Sequence, residues 1–189
     1  MKVMQKIILA SQSPRRKQLL EWAEVPFDIV VKETDESYPE NVSLDEIAVH
    51  IARNKALAIK STVDASMPIL AADTIVVLES LIIGKPKNRE DAVNILLSLS
   101  GKQHQVITGV AILHKEKEMA FAETTQVFFH ELSRAQIEFY VDNYKPYDKA
   151  GAYAIQEWIG VVGIKNIHGD FYNVMGLPVS RVVQALQSL

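Results

Sequence analysis

The sequence predicts an α/β protein organised as one domain over residues 1–189, with room for an added lobe. Three observations lead there. Short apolar, β-branched runs alternate with amphipathic stretches, so the first half reads strand, helix, strand, helix, strand. Helix-start signals stand at the head of several amphipathic stretches, and no repeat, low-complexity tract or long linker interrupts the chain. A chain of 189 residues, 48% of them hydrophobic, is long enough to bury about 70% of its unfolded surface.

The elements follow in order. Ile7 to Ala10 and Phe27 to Val31 read as strands. Between them Pro14 to Glu24 reads as a helix, with Ser13 at the N-cap and Pro14 in the first turn, where its missing N–H costs nothing. Ser43 and Glu46 have capping-box spacing before a helix from Leu44 to Ser61, and Ser133 with Gln136 repeats the device before a helix ending near Asn143. Asn88 caps a third, running to Ser98. Pro68 to Leu78 is apolar and β-branched apart from Asp73 and Thr74, and Gln105 to His114 with Met119 to Phe129 reads as a hairpin around the charged turn Lys115 to Glu118. A strand near Ile159 to Lys165 and a closing helix from Pro178 complete the chain.

Composition excludes several classes. With 20 Lys plus Arg against 23 Asp plus Glu, the net charge of −3 supplies no basic field for a nucleic-acid backbone, so phosphate recognition requires a local cation cluster. The absence of cysteine removes disulfides and thiolate zinc sites and fits a reducing compartment. The start, MKVMQKIILASQSP, has too short an apolar run for a signal-peptide core, and no segment approaches the roughly 18 apolar residues of a membrane span. The expectation is a cytoplasmic protein.

Three places stand out chemically. Ile7 to Ala10 leads through Ser11-Gln12-Ser13 into a helix whose first turn carries Arg15 and Arg16, against the helix dipole. Serine hydroxyls, helix-start N–H groups and two guanidinium forks suit a phosphate group, although both arginines could equally face solvent or pair with acidic neighbours. Lys55 falls near the centre of the apolar sector formed by Leu44, Ile47, Ala48, Ile51, Ala52, Ala58 and Ile59, so its ammonium needs a carboxylate, a phosphate or a path to water. Asp73, at the end of the apolar run Met67 to Ala72, occupies the place where open α/β sheets put ligands. It suits a divalent metal or proton acceptance from water, with a turn or cap as the plain alternative.

Asp35-Glu36 and the turn lysines Lys85 and Lys149 each read alone as solvated surface. Together, Arg15, Arg16, Lys55, Lys85 and Lys149 against Glu36 and Asp73 have the balance expected for a polyphosphate held with a metal ion. No P-loop, Gly-x-Gly-x-x-Gly, zinc-protease helix or Gly-x-Ser-x-Gly elbow is present, which leaves phosphoryl chemistry of another architecture.

Leu9-Ala10-Ser11-Gln12-Ser13-Pro14-Arg15-Arg16, Asp35-Glu36, Lys55, Ala72-Asp73-Thr74, Gly84-Lys85-Pro86, Asp148-Lys149-Ala150-Gly151-Ala152-Tyr153 to Gln156, and Asn173-Val174-Met175-Gly176-Leu177-Pro178 together resemble the Maf family of nucleotide pyrophosphatases, historically called septum-formation inhibitors. The likeness spans essentially the whole chain in the family's order. It implies an elongated α/β fold, a mixed sheet flanked by helices, with two lobes around a central cleft, similar to inosine triphosphate pyrophosphatases. It also implies hydrolysis of nucleoside triphosphates between the α and β phosphates with a divalent metal, Mg²⁺ or Mn²⁺. By that resemblance Asp73 is the proton acceptor. Ser11, Arg15, Arg16, Lys55 and Lys85 contact the phosphates, Lys149 lies with the substrate-binding residues, and Glu36 joins Asp73 at the metal.

The branch acting on dTTP and UTP has arginine, threonine and glutamine where this chain has Arg15, Thr74 and Gln156, whereas a sibling branch preferring 7-methyl-GTP has tryptophan, glutamine and glutamate. A glutamine amide both donates and accepts, as a pyrimidine edge requires. Two departures bear on the base pocket: Glu157-Trp158-Ile159-Gly160 replaces the family's glycine-rich turn, and His168 stands at an often acidic position. The resemblance thus implies a dTTP/UTP pyrophosphatase removing non-canonical pyrimidine nucleotides, with a small-molecule triphosphate as ligand, no nucleic acid, no membrane, and a homodimeric state. The rival readings are a non-catalytic, nucleotide-binding regulator of cell division and a 7-methyl-GTP-type enzyme.

Overall fold

Local chemistry sets the helix starts in the computed structural model, which describes residues 4–64 and 66–189. Residues 1–3, part of the N-terminal stretch read above for a targeting signal, lie outside the described residues. The chain runs β1 (Ile7–Leu9), α1 (Pro14–Trp22), β2 (Phe27–Ile29), α2 (Leu44–Ile59), β3 (Ile69–Leu78), β4 (Leu81–Ile83), α3 (Arg89–Leu99), β5 (Gln103–His114), β6 (Lys117–Phe129) and α4 (Arg134–Tyr144). A 3₁₀ turn (Ala150–Ala152), α5 (Trp158–Gly163), β7 (Ile164–His168), α6 (Phe171–Met175) and α7 (Val179–Gln187) follow. The expected caps form. Ser43 Oγ accepts from Glu46 N at 3.3 Å while Glu46 Oε2 accepts from Ser43 N at 2.8 Å, Ser133 and Gln136 repeat the box, and Asn88 Oδ1 accepts from Asp91 N at 2.9 Å.

Among the described residues seven strands form one mixed sheet, in the order β2-β1-β3-β5-β6-β7 with β4 on β3. β1 pairs in parallel with β2 and β3, while the pairs β3 with β4 and β6 with β7 are antiparallel. The α/β class is the one the sequence predicts. Two compact units divide the chain: Met1–Thr74 with Thr108–Glu123 and Gly176–Leu189, and Ile75–Ile107 with Thr124–Met175. No described helix is long and apolar enough to cross a membrane.

In the first unit Ile8, Ala10, Ile69 and Ala71 from the parallel strands pack with Ala52, Ala56 and Ile59 of α2 and with Ala111 and Leu113 of β5. Small residues allow that approach. A Cβ on Gly109 would lie 2.1 Å from the Ala48 carbonyl carbon, so the backbone of α2 sits directly on β5 at that point. This seating fixes the register of α2, and hence the level at which Lys55 emerges. In the second unit α3 packs on α4, with Leu96, Leu99, Ile137, Tyr140 and Val141 buried.

Two expectations need correction. The strand expected over Ile159 to Lys165 is instead α5 followed by β7. Glu157 O accepts from Gly160 N at 2.9 Å and Val161 N at 3.4 Å, and a Cβ on Gly160 would stand 1.7 Å from Ile155 O, so glycine lets the chain coil tightly where an apolar run suggested extension. The run Pro68 to Leu78 forms β3 much as the sequence reads, so Asp73, at the end of its apolar part, lies mid-strand, and Val76–Leu78 go on to pair with Ile83–Leu81 of β4, a short strand with no clear sequence signal. The hairpin turn is tighter than expected, since β6 begins at Lys117.

Candidate active site

The first unit gathers the residues around Asp73. α2 carries Lys55 and β3 carries Asp73, and Lys55 Nζ lies 2.6 Å from Asp73 Oδ1 and 2.7 Å from Glu36 Oε1. The Lys55 and Asp73 side chains are 20% and 14% exposed, whereas that of Glu36 is 56% exposed. The charge in the apolar sector of α2 is therefore met by a carboxylate pair, which removes the penalty of an isolated buried ammonium. Asp35, by contrast, accepts from Ser37 N and Oγ in a local turn, and these bonds hold its carboxyl below the usual range.

Arg16 is buried rather than splayed into solvent. Its Nε donates to Gly176 O at 2.7 Å, Nη1 to Ser11 Oγ at 3.1 Å and Nη2 to Thr74 Oγ1 at 3.0 Å. One guanidinium fork thereby joins the loop after β1, the residue beside Asp73 and the turn before α7, a geometry a lysine cannot reproduce. Burial lowers its pKa to about 10; the charges of Asp73 and Glu36 oppose that shift and Arg15 adds to it. Thr74 Oγ1 also shares a 2.9 Å hydrogen bond with Thr108 Oγ1 of β5. Arg15 is half-buried at the second position of α1.

The second unit holds the other expected site residues. Gly151, at φ +71°, donates its N–H to Gly84 O at 3.2 Å, which ties the Ala-Gly-Ala turn to the segment bearing Lys85. Lys85 and Gln156 are exposed. Lys149 reads in sequence as a surface lysine but is buried, with Nζ 2.8 Å from Asp148 Oδ1 and 3.6 Å from Glu157 Oε1. The Tyr140 hydroxyl donates to Glu157 Oε2 and accepts from Ala154 N at 3.2 Å. His104 Nε2 and Tyr153 OH share a 2.7 Å hydrogen bond, and burial pushes the histidine pKa down to about 4 and the tyrosine pKa up.

Tyr140, Thr108 and His104 carry contacts that no motif announced. Thr108 interrupts the apolar run Val106 to Leu113 of β5, which is a sequence signal for it, whereas His104 stands among the polar residues Gln103 and Gln105 at the start of the strand and has none.

A divalent metal requires oxygen ligands presented to a single cation. Asp73 and Glu36 each place a carboxylate oxygen on the same Lys55 ammonium, so their donor set can converge on a cation, and Mg²⁺ is commonly held by one or two carboxylates completed by water and substrate phosphates. Among the described residues no group of three or more His, Cys, Asp or Glu forms a ready-made cage.

The family model for Maf-like proteins matches residues 6–189. The chain belongs to the Maf family. This Maf chain is 51% identical over 183 residues to a protein of Cytophaga hutchinsonii named dTTP/UTP pyrophosphatase, covering 97% of this chain and 84% of that one. It is 49% identical to a protein of the same name from Bacillus cereus, over 97% of this chain and 95% of the relative. Among solved structures, a nucleoside-triphosphatase / dITP/XTP pyrophosphatase from Mycobacterium abscessus covers 66% of the Maf chain and 73% of its own, at 15% identity and a TM-score of 0.40.

Proposed function

We propose that this chain is a nucleoside triphosphate pyrophosphatase that hydrolyses the α–β phosphoanhydride of dTTP and UTP to the monophosphate and pyrophosphate. The observation that carries the reading is the half-buried carboxylate of Asp73, set against Lys55 and flanked by Thr74, Arg16 and Ser11. The near-full-length likeness to relatives named dTTP/UTP pyrophosphatase supports the same substrates.

In this reading water adds to the α phosphorus, its proton passes to an Asp73 carboxylate oxygen, and the bond to the bridging oxygen breaks to release pyrophosphate. Lys55, whose Nζ lies 2.6 Å from Asp73 Oδ1, orients that carboxylate and presents a positive charge beside the phosphates, where charge on the departing pyrophosphate grows in the transition state. Arg16 fixes the hydroxyls of Ser11 and of Thr74, the residue next to Asp73. Asp73 and Glu36 would hold Mg²⁺ or Mn²⁺, which supplies charge neutralisation of the triphosphate. Arg15 and Lys85 add cationic contacts, and the Gln156 amide reads the pyrimidine edge. The enzyme works in the cytoplasm as a homodimer, removing non-canonical pyrimidine nucleotides and binding no nucleic acid.

The test is a panel of dTTP, UTP, CTP, GTP, ATP and 7-methyl-GTP with separate detection of pyrophosphate and orthophosphate. Pyrophosphate from dTTP and UTP is expected. Preferential turnover of 7-methyl-GTP would move the chain to the sibling specificity, and no turnover of any triphosphate would favour a binding role.

A further inference from the structure

Glu157 follows Gln156 at a place where the sequence departs from the glycine-rich turn of its family, and the functional reading above gives it no task. The structure gives it several contacts. Its side-chain oxygens meet the Tyr140 hydroxyl and, at 3.6 Å, Lys149 Nζ, while its main-chain oxygen accepts from Gly160 N and Val161 N and so starts α5. Tyr140 is 0% exposed on α4, and the same hydroxyl that donates to Glu157 accepts from Ala154 N. The stretch from Lys149 to Glu157 is thus held twice: its ends meet in the Lys149 and Glu157 contact, and one tyrosine hydroxyl grips residues 154 and 157 together. Gln156 is exposed between those two gripped positions.

We infer that Glu157 is a positioning residue for base selection, which acts through Tyr140 and Lys149 to fix the backbone from which the Gln156 amide meets the pyrimidine. The inference rests on the proposed role of Gln156. An exposed glutamine on a free turn would lose rotamer and backbone freedom whenever it bound a base, whereas a turn held in advance meets that cost during folding. The charge of Glu157 has a local reason. The Lys149 side chain is 10% exposed and requires an anion, and Glu157, at 23% exposed, is a more shielded partner than Asp148 at 58%.

The test compares Glu157→Ala, Glu157→Gln and Tyr140→Phe with the unmodified enzyme, by steady-state kinetics on UTP and GTP and by amide hydrogen exchange over residues 154–157. Glu157→Ala and Tyr140→Phe are expected to raise KM for UTP about fivefold to tenfold, the scale of one well-placed hydrogen bond, with kcat changed by less than about twofold. The UTP-over-GTP preference falls with it, and exchange over 154–157 quickens. Glu157→Gln keeps an oxygen for the Tyr140 hydroxyl but loses the charge facing Lys149, and its KM falls between those of the unmodified enzyme and Glu157→Ala. Unchanged exchange and unchanged selectivity in Glu157→Ala would overturn the inference, as would an equal fall in kcat for both nucleotides. If the unmodified enzyme releases no pyrophosphate from UTP, the functional reading fails on that result, while the exchange comparison still decides whether Glu157 fixes the turn.

Discussion

Lys55 and Asp73, brought together from α2 and β3, share a 2.6 Å contact between Nζ and Oδ1. The carboxylate proposed to accept a proton from water is thereby fixed in place by a neighbour that is itself only 20% exposed. The seating of α2 on Gly109 makes this pairing a consequence of the fold.

Replacing the base removes the proton acceptor but keeps the shape. Asp73→Asn is expected to lower kcat by at least about 10²-fold with little change in melting temperature, the range in which positioned acid–base groups act. Pyrophosphate release under saturating UTP measures it. Activity within tenfold of the unmodified enzyme would remove Asp73 from this role.

Removing the ammonium tests the pair from the other side. Lys55→Met leaves Asp73, 14% exposed, without its cation, and is expected to cost about 1–3 kcal/mol, below the loss for a fully buried pair. Glu36→Gln, at a side chain 56% exposed, is expected to cost under about 1 kcal/mol. Denaturant titration of both variants gives the ordering.

Arg16→Lys forfeits the fork that joins Ser11, Thr74 and Gly176, since one ammonium cannot reach three separated acceptors. A loss of roughly 2–4 kcal/mol is expected, visible as a melting-temperature fall of about 5–15 °C. A variant that melts with the parent would show that these bonds carry no stability.

His104 sets a pH dependence. Its folded pKa, lowered by burial to about 4, lies below the 6.5 of an unfolded histidine. The unfolded chain therefore binds the proton first as pH falls, so stability is full above about pH 6.5, declines towards pH 4 and levels off below it, by roughly 3 kcal/mol at most. His104→Gln removes that slope. Melting temperatures of both proteins between pH 4 and 7.5 check it, and parallel curves would contradict it.

What could be read from sequence follows the range of each interaction. The Ser43–Glu46 and Ser133–Gln136 caps are contacts three residues apart and carry their own spacing signature. The demand of Lys55 for an anion was legible from helical periodicity, although its two partners were not. Thr74 with Thr108 and Tyr140 with Glu157 are 34 and 17 residues apart, pairings that only the folded topology creates. α5 was hidden because six residues, mostly apolar, carry no period, and Lys149 passed for a surface lysine because its turn residues gave no hint of burial. Arg16 was legible as a cation set against the helix dipole, with solvent as open a destination as a ligand, and its acceptors on Thr74 and Gly176 come from far along the chain.

The most direct test is the product ratio from UTP. With unmodified enzyme and Mg²⁺, ³¹P NMR or paired colorimetric assays are expected to show one pyrophosphate for each UMP and no orthophosphate from the earliest time points. Orthophosphate appearing together with UDP would place cleavage at the β–γ bond and contradict the account.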